Sequence, residues 1–141
     1  MTDLTASLSD TRPANTSAQD AGALLARVLL AAIFLIMGLG KLAAAEGTIG
    51  YIASVGLPFA EGVYYGTIAL EVVGAGLLIA GYHTRAAATA LGVFSILAAA
   101  IFHADFADQM QFTSFLKNLA IAGGMFQLAA FGPGRLSLDR G

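Results

Sequence analysis

Along this chain polar residues gather at the beginning, at the end and in short interruptions, while apolar residues gather in four long runs. Up to about Ala21 the chain carries Asp3, Asp10, Arg12, Pro13 and Asp20 among many Ser and Thr, without apolar periodicity, and residues 1–21 read as a disordered tail. The first run, Gly22 to Leu42, is apolar except for Arg27 and Lys41 near its two ends. The second, Gly62 to Tyr82, holds a single charge, Glu71, close to its middle. The third, Ala86 to Phe102, is uncharged and broken only by Thr89 and Ser95. The fourth, Phe115 to Phe131, ends at Gly132, Pro133 and Gly134, a string that cannot continue a helix. Each run has roughly 17 to 21 residues, enough to cross about 30 Å of hydrocarbon at 1.5 Å per residue once tilt and flanks are allowed. The pattern therefore predicts an all-α polytopic membrane protein, a four-transmembrane-helix bundle over residues 22–132 with a short C-terminal tail over 133–141.

Lys and Arg near span ends set orientation, because cytoplasmic loops retain positive charge. Arg12, Arg27, Arg85, Arg135 and Arg140 fall on one side, whereas Lys41 and Lys117 share the other with Glu46, Glu61, Asp105 and Asp108. Both termini and the turn His83-Thr84-Arg85 are thus expected in the cytoplasm. An acidic, polar stretch precedes the first run, unlike a secretory signal, so that span is expected to stay in the mature protein. Arg27 reads as a snorkelling anchor, or as the partner of a neighbouring helix or a lipid phosphate. Tyr64 and Tyr65 at one end of the second run and Tyr82 at the other fall where aromatic belts belong. The loop from Ala43 to Glu61 is too polar and glycine-rich for a span and has room for a short interfacial helix before Leu57-Pro58. The second external loop, from His103 to Ser114, is acidic with Phe102, Phe106 and Phe112 nearby, and reads as a segment lying on the membrane surface.

Small residues at the spacing that lets helices approach occur at Gly76 and Ala80, Ala86 and Ala90, and Ala120 and Gly124, and read as seams of a compact bundle. Gln127 reads as buried and bonded to a neighbouring helix. Gly38-Leu39-Gly40 and Gly74-Ala75-Gly76 lie inside spans rather than after strands, so they are not phosphate loops.

Composition sharpens the picture. At 57% hydrophobic and 11% charged, with a mean hydropathy of +0.77, the chain is far from a water-soluble globule. Having no cysteine, it forms no disulfide and holds no thiolate-ligated zinc or iron-sulfur centre. A net charge of -2 provides no basic stripe, so nucleic acid is not an expected partner.

An ionisable group near the bilayer centre costs about 2.5 to 3.5 kcal/mol on insertion scales and is normally paired, water-lined or functional. Glu71 lies roughly nine residues, about 13 Å, inside its run. Lys41, His103, Lys117 and Asn118 approach from the same side, so five polar side chains from four helices can converge. In one reading Glu71 and a lysine neutralise each other and pin the bundle. In the other the cluster forms a pocket open to the outer leaflet, where Lys117 or His103 donates to the carbonyl oxygens of a quinone and Glu71 exchanges a proton with it. His103 with Asp105 and Asp108 is better read as a solvated acidic loop than as a metal site, and His83 lies at the opposite face.

Arg27, Gly38-Leu39-Gly40-Lys41-Leu42, Gly56-Leu57-Pro58, Glu71-Val72-Val73-Gly74, Lys117-Asn118-Leu119-Ala120 and Gly132-Pro133-Gly134-Arg135-Leu136-Ser137-Leu138-Asp139 together resemble the DoxX family in order and spacing, over nearly everything after residue 22. The resemblance implies a multi-pass protein of the bacterial inner membrane with a four-helix bundle. It further implies a place beside quinol oxidase or thiosulfate:quinone oxidoreductase systems, and Lys41, Glu71, Lys117 and Asn118 match the family pattern.

The expectation is an integral inner-membrane subunit of a quinone-linked or redox-stress oxidoreductase pathway. Its catalytic candidate is Glu71, and its ligand-binding candidates are Lys41, Glu71, His103, Lys117 and Asn118. No metal and no covalent cofactor are expected, and a quinone is the candidate ligand. Membrane lipid, a soluble oxidoreductase and a second copy of the chain are the candidate partners. A non-catalytic membrane anchor or assembly factor is the alternative. A small transporter or proton pathway is a third reading, although the chain lacks the inverted repeats and broken helices that transporters use.

Overall fold

The computed structural model describes residues 16–139, and within them the chain is all-helical. α1 spans Thr16–Ala43, α2 Ala45–Ser54, α3 Ala60–Ala80, α4 Thr84–Phe102 and α5 Gln109–Phe131. α1, α3 and α4 are long and apolar enough to cross a membrane. α5 has 23 residues, about 35 Å of helix, but Gln109, Gln111, Lys117, Asn118 and Gln127 make it more polar than those three. α2, with 10 residues, is the short helix expected in the first long loop.

Several boundaries move for physical reasons. α1 begins at Thr16, ahead of the apolar run, so the last part of the stretch read as a tail is helical. Its first turns are tied down by Asp20, whose carboxylate accepts the amide of Arg135 at 3.0 Å. The rest of that predicted tail, residues 1–15, lies outside the described residues, as do Arg12 and Arg140. α5 begins at Gln109, because the Asp108 carboxylate accepts the amides of Met110 and Gln111 and so satisfies two otherwise orphaned donors. Half of the loop expected on the membrane surface is therefore the first turn and a half of a helix. Phe106 packs edge-on against Phe112 and Phe115, whereas Phe102 lies beside Tyr51 of α2.

α1 runs antiparallel to α3, α4 antiparallel to α5, and α3 against α4 joins the two pairs. The seams use other small residues than the sequence suggested. A Cβ on Gly38 would meet Val72 Cγ2 at 2.9 Å, one on Gly74 would meet Leu91 Cδ1 at 3.0 Å, and one on Gly92 would meet Phe126 Cε1 at 2.8 Å. Gly76, Ala80, Ala86, Ala90 and Ala120 face outward instead, and of the proposed pairs only Gly124 meets a neighbour, Leu30. Spacing marks a small face without saying whether protein or lipid covers it.

Two apolar clusters fill the interior. One contains Ala31, Phe34, Ala75, Leu78, Ala88, Leu91 and Met125, toward the end where α3 turns into α4. The other, smaller, joins Ile52 of α2 to Tyr64 and Ile68 of α3. Glu71 falls between Ile68 and Ala75 on α3, at the junction of the two clusters. Outside, Leu25, Leu29, Ile36, Val73, Leu97 and Phe131 are exposed, the all-round apolar surface of a bundle solvated by hydrocarbon.

Candidate functional site

Lys41 stands in the last turn of α1 and Glu71 in the middle of α3. The Lys41 Nζ donates to Glu71 Oε1 at 2.8 Å and to Oε2 at 2.7 Å, so one ammonium serves both carboxylate oxygens. The Glu71 side chain is 4% exposed and that of Lys41 25%. Gly38 makes this geometry available, because a side chain there would collide with Val72 and press on the Glu71 Cβ at 3.2 Å. Tyr64, buried nearly two helical turns from Glu71 on α3, donates its hydroxyl to the Lys41 carbonyl at 3.0 Å and holds the end of α1 in place. An ion pair at this depth offsets the cost of removing each charge from water.

An ammonium has three N–H donors, and Glu71 occupies two. Lys41 also lines a groove of about 560 Å³ between α1 and α2, with Ile36, Met37, Gly40, Thr48 and Tyr51. Its walls are mostly apolar, and its polar lining residues are Lys41, Thr48 and Tyr51. The last two donate to the carbonyls of Ala44 and Phe102.

The other predicted site residues do not join this pair through any hydrogen bond or ion pair among the described residues. His103 Nδ1 lies 2.7 Å from the Gln111 side-chain oxygen, bridging the end of α4 to the start of α5. Asn118 donates to the Ser114 carbonyl of its own helix at 3.0 Å, and Lys117 is exposed. Asp105 and Asp108 accept backbone amides at the loop and the α5 N-terminus. Among the described residues no group of three or more His, Cys, Asp or Glu side chains could hold a metal ion.

A second polar node occupies the opposite end. Arg27 is 1% exposed rather than snorkelling, and its guanidinium donates to the carbonyls of Pro133 (2.7 Å), Leu136 (2.8 Å) and Ile79 (3.3 Å). A cation beside the carbonyls ending α3 is favourably placed for the helix dipole. The C-terminal segment is thereby docked, with the amides of Leu138 and Asp139 donating to the carbonyls of Ala80 and Gly81. The Asp139 carboxylate accepts the amides of His83 and Thr84, both at 2.8 Å, and caps α4 from the far end of the chain. His83 enters α4 in the left-handed conformation and its own side chain makes no cap. The proximity of Thr84, whose amide donates to it, holds the Asp139 carboxyl below the usual carboxylate range, with the amide and charge of His83 adding to this.

Sequence reasoning missed Asp139, Tyr64 as a buried donor, and Gly38 as the contact point. Tyr65 and Tyr82 remain exposed as belt residues, but Tyr64 turns inward. Gln127 is exposed, not bonded to a neighbour. No side-chain pattern signalled the strap, because Arg27 is held by backbone carbonyls.

The DoxX family model matches residues 22–104. The chain is 38% identical over 123 residues to the inner membrane protein YqjF of Escherichia coli (strain K12), covering 86% of this chain and 92% of that one. It is 35% identical to the inner membrane protein YphA of the same organism, covering 83% and 87%. Over 64 residues, 45% of this chain and 46% of the relative, it is 41% identical to a Bacillus subtilis (strain 168) protein named "Putative oxidoreductase CatD". No solved structure matches the chain.

Proposed function

From the premise that this chain belongs to the DoxX family and is a multi-pass inner-membrane protein, we propose that it is the membrane subunit of a quinone-linked or redox-stress oxidoreductase pathway. The observation that carries the reading is the Lys41 ammonium, two of whose donors are held by Glu71 while its side chain borders the groove between α1 and α2. A quinone headgroup is flat and apolar apart from its carbonyl oxygens, and it fits a groove lined by Ile36, Met37 and Gly40 with Lys41 beside them. In this reading Lys41 donates to a quinone carbonyl and Glu71 orients the ammonium and takes part in proton exchange. The electrons come from a partner oxidoreductase, consistent with a chain that has no cysteine for thiol chemistry. Similarity to a relative whose name describes an oxidoreductase supports the pathway. All four long helices, α5 included, span the membrane in this proposal, with both termini in the cytoplasm where Arg27, Arg85 and Arg135 gather. His103, Lys117 and Asn118 then serve the mouth of the site or a protein contact rather than the ion pair.

A non-catalytic anchor for a soluble oxidoreductase is the second reading, favoured by the two-point geometry that already satisfies both Lys41 and Glu71. Mass spectrometry of lipids and proteins that co-purify with the tagged chain in native nanodiscs separates the two. Quinone retained by the wild type and lost from Lys41→Met, with the bundle still folded, is the expected result. A stoichiometric soluble enzyme without bound quinone would establish the anchor and overturn the quinone site.

A further inference from the structure

At the end of the bundle away from the Lys41–Glu71 pair, a cavity of about 840 Å³ opens between the α3–α4 turn and the C-terminal segment. His83, Arg85, Phe131, Gly132 and Arg135 line it. Its charges are unevenly used. The Asp139 carboxylate is turned onto the amides of His83 and Thr84, and the Asp20 carboxylate onto the amide of Arg135. Arg27 points into the protein and donates only to backbone carbonyls. The guanidinium groups of Arg85 and Arg135, with five N–H donors each, have neither an acidic partner nor a hydrogen-bond acceptor among the described residues. Among the described residues, three arginines, Arg27, Arg85 and Arg135, stand against two aspartates, Asp20 and Asp139, at this end.

The local backbone holds these cations in place. Gly132 adopts φ 85, and a Cβ there would stand 3.4 Å from Arg85 Nη2 and 3.7 Å from Nε, so the guanidinium rests against a backbone only glycine keeps clear. Arg135 follows Gly134, also at positive φ, and its amide is fixed on Asp20. Large apolar side chains flank the cationic pocket: Phe131 is 76% exposed, Leu136 53% and Leu138 67%. Free arginines beside exposed leucines and a phenylalanine match the boundary between headgroups and acyl chains, and a guanidinium fork matches phosphate oxygens.

We propose that this cavity is a lipid site in which Arg85 and Arg135 take the headgroup phosphate of an anionic membrane phospholipid, while Phe131, Leu136 and Leu138 lie along its acyl chains. A ligand of this shape satisfies the unused donors and covers the exposed apolar rim at once, which a free phosphate does not. The site is separate from the groove at Lys41 and stands whether or not that groove takes a quinone.

The test uses delipidated full-length protein in a neutral detergent. Thermal midpoint and native mass spectrometry are read as phosphatidylglycerol, phosphatidylcholine or inorganic phosphate is added. Phosphatidylglycerol is expected to bind and raise the midpoint, and phosphatidylcholine to do neither. Arg85→Gln and Arg135→Gln are each expected to weaken phosphatidylglycerol binding about fivefold and together about 25-fold, the scale of one basic residue near an anionic surface. Arg85→Lys with Arg135→Lys retains the charges and most of the binding, so a general folding defect is told apart from loss of the site. Equal binding of the two lipids, or full binding by the double Gln variant, would overturn the proposal. Inorganic phosphate matching the lipid's effect would do so too, by assigning the pocket to a free anion.

Discussion

Gly38 of α1 lies directly against Glu71 of α3, so that a methyl group on Gly38 would stand 3.2 Å from the Glu71 Cβ and 3.5 Å from its Oε2. The missing side chain brings α1 close enough for Lys41, nearly one helical turn further along, to reach a carboxylate in the middle of the neighbouring helix. Gly38→Leu should push the helices apart, break the ion pair and destabilise the bundle by about 1–3 kcal/mol, the usual cost of overpacking. Denaturant titration in mixed micelles, followed by helicity, measures it. A Gly38→Leu protein as stable as the wild type would mean that α1 and α3 slide freely past one another.

Removing one member of the Lys41–Glu71 pair strands the other. Lys41→Met should cost about 3 kcal/mol, near the lower end for a broken buried pair, because it leaves a carboxylate among apolar groups. Glu71→Gln should cost less, since the Lys41 stem is long enough to lift its ammonium toward the surface. The double variant Lys41→Met with Glu71→Gln should lose less than the sum of the two singles. Additive losses in the same unfolding assay would show that the two side chains do not act as a pair.

Arg27→Met should leave the carbonyls of Pro133, Leu136 and Ile79 without their donor and release the C-terminal strap. The expected loss is about 2–4 kcal/mol, and Arg27→Lys should recover little of it because an ammonium cannot reproduce the planar fork. Limited proteolysis after residue 132 reads the release directly. An uncleaved strap in Arg27→Met would place its anchorage elsewhere.

Docking of the strap should also depend on pH. The Asp139 carboxyl is held below its ordinary value, chiefly by Thr84, so its contribution is complete above about pH 3.9 and fades as pH falls through the lower folded value. Hydrogen exchange at the His83 and Thr84 amides should therefore be slow at neutral pH and quicken only in acid, relative to the trend of other amides. Asp139→Asn should abolish that acid step. An acid step that persists in Asp139→Asn would assign it to another group.

The helices were legible because a membrane span announces itself through length and apolarity, and Glu71 stood out as a lone charge within one. Its partner was legible only as one of two lysines, Lys41 and Lys117, that approach from the same side, because Lys41 stands near the end of its own run and reaches Glu71 only through its long side chain. His103, Lys117 and Asn118 share that end of the bundle but not that face. α5 buries Ala122 and Met125 against α4, which turns Lys117 outward and leaves Asn118 bonded to its own helix. Depth can be counted along a sequence, whereas the rotation of a helix about its axis depends on packing that hydrocarbon-like residues specify weakly. The glycines show the same limit: Gly76 and Gly38 look alike in sequence, but only Gly38 meets a neighbour. The strap was illegible for a further reason. Its contacts pair residues about 55 to 109 positions apart, and most of its acceptors are backbone carbonyls, which no side-chain pattern reveals.

Because Asp139 caps α4 and Arg27 waits for carbonyls at Pro133 and Leu136, α1 and α4 remain unfinished until the segment that follows α5 has been made. A ribosome stalled anywhere inside α5 would leave in the bilayer a chain with an unpaired arginine and an open helix end. Folding of α1 and α4 is thus coupled to synthesis of the strap, and a product cut short before it stays incompletely packed and prone to aggregate.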